Sequence, residues 1–187
     1  CACSPYNIGR AHHRAGSRSL YGDDYDDAMP RADYIAAQVA LAQRLSRLLK
    51  PGGTVLWNMG FGTIDDMWLP FKTVKHMERQ SGLALVAIIC WRKPTATPMQ
   101  ASPNQLARQS ELVFVLAHKS HRRTFWMNKP LGKPNKRTKQ ASYGRATNYL
   151  FARNNDDCGF TAAFSVDLAT QLLRLYTARY SLADFAT

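Results

Sequence analysis

The run Leu83-Ala84-Leu85-Val86-Ala87-Ile88-Ile89-Cys90 is apolar at every position. A strand with one wet face alternates apolar and polar residues. A strand without that alternation is covered on both faces, as in a sheet with helices on either side. Working outward, residues 67–80 read as a helix that ends at Gly82. Before it, residues 54–59 form a short apolar strand. Earlier still, Ile35, Val39, Ala42, Leu45 and Leu49 recur at three- and four-residue steps, which predicts a helix over 32–49. Pro30 sits just ahead of that helix and Pro51-Gly52-Gly53 stops it. Downstream, 112–117 is a third strand. Residues 166–176 are a last helix with Leu168, Leu172, Leu175 and Tyr176 on one face and Ser165 as its N-cap. Strand and helix in this rhythm predict an α/β sheet with helices packed on it, without internal repeats.

The chain of 187 residues is long enough for one domain with a sizeable core. No apolar stretch approaches the roughly 20 residues that cross a bilayer, and no secretory pattern opens the chain, so no membrane partner is expected. Cys1 stands first instead of Met, which reads as a processed or truncated start. Cys1, Cys3, Cys90 and Cys158 form neither paired CxxC knuckles nor a disulfide framework. Cys90, at the end of the apolar run, reads as a buried thiol, and an intracellular, reducing compartment fits this usage. Asp23, Asp24, Asp26 and Asp27 cluster before Pro30. With no His or Glu to complete a ligand set, they read as a polar surface loop and no metal is expected. Trp57, Trp68 and Trp91 read as packing residues.

Lys plus Arg number 25 against 13 Asp plus Glu, a net charge of +12. That excess points to a polyanionic partner, nucleic acid above all. The charge is concentrated. Residues 112–155 contain no Asp or Glu, yet carry Arg122, Arg123, Lys129, Lys133, Lys136, Arg137, Lys139 and Arg145, among others. Phe125, Trp126, Tyr143 and Tyr149 are interleaved, and Pro130, Gly132 and Pro134 make much of the window loop. The block could be a solvated basic loop, but it exceeds what solubility requires, and phosphate contact is the better reading.

The chain opens Cys1-Ala2-Cys3-Ser4-Pro5-Tyr6-Asn7-Ile8-Gly9-Arg10. Pro5 fixes φ and removes a donor, leaving nearby carbonyls free to accept. Such a turn suits one task. The exocyclic amine of a base is a poor nucleophile because its lone pair is delocalised into the ring. An acceptor side chain and a carbonyl that hold its two hydrogens make the nitrogen more tetrahedral and able to attack an electrophilic methyl. Tyr6 would stack on a base swung out of the duplex. Read without context, Ser4-Pro5-Tyr6 is an ordinary turn.

The segment resembles the catalytic Ser-Pro-Pro-Tyr-Asn-Ile-Gly motif of the β-class DNA amino-methyltransferases. Further matches follow in order: Tyr25, Asp26 and Tyr34; Leu49-Lys50-Pro51-Gly52-Gly53; Trp57-Asn58-Met59-Gly60; Trp91-Arg92-Lys93-Pro94; Arg108 and Glu111 leading into Leu112-Val113-Phe114-Val115; and Asn148, then Ala162-Ala163-Phe164 and a helix from Leu168 to Tyr176. The resemblance implies a Rossmann-like methyltransferase fold with a mixed, mostly parallel sheet. It implies S-adenosylmethionine as cofactor and double-stranded DNA with a flipped base as substrate. Cys3, Ser4, Pro5 and Tyr6 would form the catalytic turn, and Ser4, Pro5 and Phe164 would meet the cofactor. The division implied is 1–117 as catalytic half, 118–155 as basic target-recognition insertion and 156–187 as an amphipathic helix leading toward the cofactor strand. Within it, Arg10, Arg122, Arg123, Lys129, Lys133, Lys136, Arg137, Lys139 and Arg145 are the candidate nucleic-acid contacts. The motif leans to N4 of cytosine over N6 of adenine.

The sequence departs from the family in two places. One proline replaces two, so Cys3 takes the position of the catalytic polar residue, or Ser4 does after a one-residue slip. The family's Asp-Pro-Phe-x-Gly-x-Gly cofactor strand has no counterpart here; Gly60-Phe61-Gly62 belongs to another element. The expectation is a sheet incomplete at both ends, explained by a longer parent protein, a complementing chain or homodimer, or a scaffold that has given up catalysis, in that order. The rival to an enzyme is a non-catalytic protein of the same fold that binds nucleic acid, DNA or RNA, or serves as a structural subunit.

Overall fold

The computed structural model describes residues 2–3, 6–7, 28–61, 65–97, 106–129, 132–140, 146–153 and 165–177, with backbone alone for 2, 3 and 95–97. In chain order the elements are β1 (Ala2–Cys3), α1 (Arg31–Leu48), β2 (Thr54–Met59), α2 (Leu69–Gln80), β3 (Leu83–Thr97), β4 (Arg108–His118), β5 (Tyr149–Phe151) and α3 (Val166–Tyr176). The five strands form one sheet in the order β1-β2-β4-β3-β5. β4 runs antiparallel to both of its neighbours, while β1 pairs β2 and β5 pairs β3 in parallel. Four strands therefore share one direction and β4 opposes them, which is the mixed, mostly parallel sheet expected.

The apolar strands are covered on both faces, as their composition requires. Val55, Trp57 and Met59 of β2 and Leu112, Phe114 and Leu116 of β4 pack with Tyr34, Val39 and Ala42 of α1 and Leu69, Val74 and Met77 of α2. The alternate residues Leu56, Val113 and Val115 face the other way, with Ile89, Trp91 and Ala152, onto Leu168, Leu172 and Tyr176 of α3. The result is three layers, helix on sheet on helix.

Local chemistry sets the element ends. α1 stops at Leu49, extended before Lys50-Pro51, and Gly52 turns the chain at φ +80°. A Cβ at Gly52 would meet the Trp126 indole at 2.8 Å, and the Trp126 backbone N–H donates to the Gly52 carbonyl. Glycine serves both the left-handed φ and the close approach. Buried Asp66 pairs with Arg31 (2.8 Å) and Lys72 (3.0 Å), tying the starts of α1 and α2 together. Ser165 caps α3 as expected, its Oγ accepting from Leu168 N–H at 3.1 Å.

Some expectations needed correction. β3 runs on to Thr97 and β4 begins at Arg108, because pairing of Trp91 with Glu111 and Arg92 with Ser110 continues the ladder after the sequence turns polar. Trp57 and Trp91 are buried, but Trp68 is 67% exposed, touching Phe71 edge-on at the start of α2. Cys90 is half-buried. The acidic cluster at residues 23–27 lies outside the described residues. Among the described residues no group of His, Cys, Asp or Glu could hold a metal, and no helix is long and apolar enough to cross a membrane.

Candidate active site

β1 lies beside β2 in parallel, with Cys3 opposite Asn58. Tyr6 sits past the C-terminal end of β1, the edge at which open α/β sheets bind ligands. Asn7 follows in the left-handed region (φ 53°), a conformation asparagine tolerates better than most residues. Its Nδ2 donates to the Met29 carbonyl at 2.9 Å, which ties the turn to the lead into α1.

Tyr6 is half-buried and anchored from two strands. Its hydroxyl lies 2.5 Å from Asn58 Oδ1 and 2.6 Å from Glu111 Oε2. Asn58 is fully buried on β2, and its Nδ2 donates to the Leu112 carbonyl at 3.2 Å, which fixes which way the amide faces. Glu111, on β4, gives its other oxygen to Lys93 of β3. The Tyr6 ring lies over Gly60, where a Cβ would come within 2.9 Å of Cδ2 and Cε2. Arg108 Nη1 donates to the Phe61 carbonyl at 3.3 Å, adding a cation at the same edge. Asn7 Oδ1 is buried without a hydrogen-bond partner among the described residues, an acceptor next in the chain to Tyr6.

A family model for DNA methylases covers residues 2–182. The chain belongs to this DNA methylase family. The PvuII DNA methyltransferase (cytosine-N4-specific) is similar in fold, with a TM-score of 0.60 at 15% identity over 87% of this chain and 61% of that one. Two structures of M1.HpyAVI, one of them the M1.HpyAVI-SAM complex, align at TM-scores of 0.49 and 0.47 with 14% and 16% identity, over 75% and 80% of this chain and 57% and 62% of theirs. The methylase chain thus spans about three-fifths of the length of these structures. No curated protein matches it in sequence.

Of the residues singled out in the sequence of this methylase chain, the structure brings the Cys3 backbone and Tyr6 to one edge of the sheet. Ser4, Pro5, Arg10, Arg145 and Phe164 lie outside the described residues. Arg122 and Arg123 are exposed just past the C-terminal end of β4, at the opposite end of the sheet from Tyr6. Glu111 and His118 are separated by roughly 20 Å or more along that strand at its usual rise. Lys129 follows Asn128, whose Nδ2 donates to the Arg174 and Thr177 carbonyls at the end of α3. Lys133, Lys136, Arg137 and Lys139 are exposed on a compact turn in which Asn135 Oδ1 accepts from Arg137 and Thr138 N–H. The window 118–155 returns to the sheet as β5, and the Ala152 carbonyl accepts from the buried Trp91 indole at 3.0 Å.

Asn58, Lys93 and Glu111 were not among the catalytic candidates. Their signal in the sequence is that each falls in a family-like segment, Trp57-Asn58-Met59-Gly60, Trp91-Arg92-Lys93-Pro94 and the Arg108 to Glu111 lead into β4, without a spacing that joins them.

Proposed function

We propose that this chain is the amine-handling part of a DNA methyltransferase that transfers a methyl group from S-adenosylmethionine to N4 of cytosine or N6 of adenine. The observation that carries the reading is Tyr6, held by Asn58 and Glu111 at the C-terminal edge of two parallel strands, next in the sequence after Ser4-Pro5. An extruded base stacks on the part of the ring that Gly60 leaves open. The Ser4 hydroxyl, or Cys3, and a carbonyl of the turn accept the two amine hydrogens, which localises the nitrogen lone pair. Bound S-adenosylmethionine would supply its methyl carbon to that nitrogen and leave as the thioether, and Ser4 or Cys3 would accept the amine proton and pass it on to solvent.

Asn7 Oδ1, a buried acceptor without a partner among the described residues, suits an amine or ammonium donor such as the amino-acid end of this cofactor or the amine of a base. Ser4, Pro5 and Phe164 would hold S-adenosylmethionine, which supplies an electrophilic methyl on a sulfonium sulfur. The basic window 118–155 acts as the target-recognition insertion. Lys133, Lys136, Arg137 and Lys139 on its exposed turn contact phosphates, and so do Arg10, Lys129 and Arg145. Arg122 and Arg123, at the far end of the sheet, reach backbone away from the flipped base.

Incubating the protein with methyl-labelled S-adenosylmethionine and double-stranded DNA, then digesting to nucleosides, reads the product directly. The expected label is in N4-methylcytosine or N6-methyladenine. DNA that is bound but never labelled, with a homologous Gly-rich strand supplied in trans as well as without it, would leave only a non-catalytic nucleic-acid-binding protein.

A further inference from the structure

We propose that Glu111 is a positioning residue for Tyr6: held by Lys93, it fixes the ring in the plane on which the flipped base stacks. The inference rests on the reading of Tyr6 given above and adds residues that act through its hydroxyl.

The geometry is a chain of contacts across three strands. Trp91 and Glu111 are cross-strand partners on β3 and β4, and Lys93 lies two residues beyond Trp91 on the same face. The Lys93 ammonium sits 5.1 Å from the Trp91 ring centroid and pairs with Glu111 Oε1. Trp91 in turn is buried and anchored by its indole N–H to Ala152. The side chains of Lys93 and Glu111 are only 14% and 13% exposed. A carboxylate so enclosed requires a partner, so Glu111 is held where Lys93 is held. Its free oxygen, Oε2, then faces the Tyr6 hydroxyl at 2.6 Å.

The hydroxyl has a single proton and faces two acceptors, Asn58 Oδ1 and Glu111 Oε2, on two different strands. With the ring resting on Gly60, these contacts restrict both translation and tilt of the aromatic plane. Stacking sets where the amine nitrogen lies relative to its methyl donor. A displacement of about 1 Å in such a reaction costs up to about 100-fold in rate.

The test is a double-mutant cycle in the complete protein with Glu111→Gln and Tyr6→Phe. Each single variant is expected to lower kcat for methyl transfer roughly 10- to 100-fold, with a smaller change in KM for DNA. The double variant should be no worse than the poorer single one, because both remove the same contact. A second readout does not depend on turnover: the ring-carbon signal of Tyr6 in tyrosine labelled with carbon-13 at Cζ, identified by its loss in Tyr6→Phe. That signal should move in Glu111→Gln and also in Lys93→Met, which serves if Glu111→Gln does not fold. Multiplicative losses of kcat, or a Tyr6 signal unmoved in both variants, would overturn the positioning role. A signal that moves in a parent protein unable to methylate DNA would instead overturn the functional reading, and with it any role of Glu111 in catalysis.

Discussion

Gly60 illustrates how finely the site is set by single residues. Its backbone is the surface on which Tyr6 rests, and a methyl group there would come within 2.9 Å of two ring carbons. Gly60→Ala should therefore displace the ring while leaving the strand before it intact. The expected outcome is a loss of methyl transfer of about tenfold or more, with Tm nearly unchanged by thermal circular dichroism. A variant that melts early but methylates normally per folded molecule would assign Gly60 to folding alone. Asn7 shows a related logic, since the left-handed turn and the tie to Met29 both suit asparagine. The motif read as Tyr6-Asn7-Ile8-Gly9 carries a backbone requirement as well as a chemical one.

At the scale of elements, α3 is held at both ends and along one face. Ser165 caps its start, Asn128 gathers the carbonyls of Arg174 and Thr177 at its end, and Phe125 stacks on Tyr176 with ring centroids 6.3 Å apart. Ser165→Ala should cost about 1 kcal/mol of stability, read from the denaturant midpoint, because the first turn loses its capping acceptor. Burial raises the pKa of the Tyr176 phenol above its ordinary value of 10.0. A folded-state pKa raised above the unfolded one makes a contribution that is complete below pH 10.0 and is lost as pH rises through the raised value. Tyr176→Phe should flatten this alkaline fall in a pH series of denaturant melts. An identical fall in the variant would trace it to other groups.

Across the whole molecule, the sheet separates two kinds of surface. One end holds the Tyr6 network, and the other holds Arg122 and Arg123. The turn bearing Lys136, Arg137 and Lys139 is exposed and lies in a stretch of sequence, 112–155, without Asp or Glu. Neutralising all three together should weaken DNA binding and reduce the slope of log affinity against log salt by up to about 2.7. A slope equal to that of the parent would remove this turn from the interface.

The helices, the three long strands and their burial were legible in the sequence, because apolar periodicity reports directly which faces meet a core. Helix 166–176 and strand 54–59 fall where the pattern puts them. The basic window was legible for a similar reason, since charge is a local property of the sequence. Tertiary structure alone decided that β4 lies antiparallel between β2 and β3, that the ladder outruns the apolar run, and that β5 returns from the basic window to pair with β3. It alone joined Tyr6 to Asn58 and Glu111, 52 and 105 positions away, and put Arg122 at the opposite end of the sheet. Contacts at such separations depend on how strands are ordered, and no local pattern of residues encodes that order.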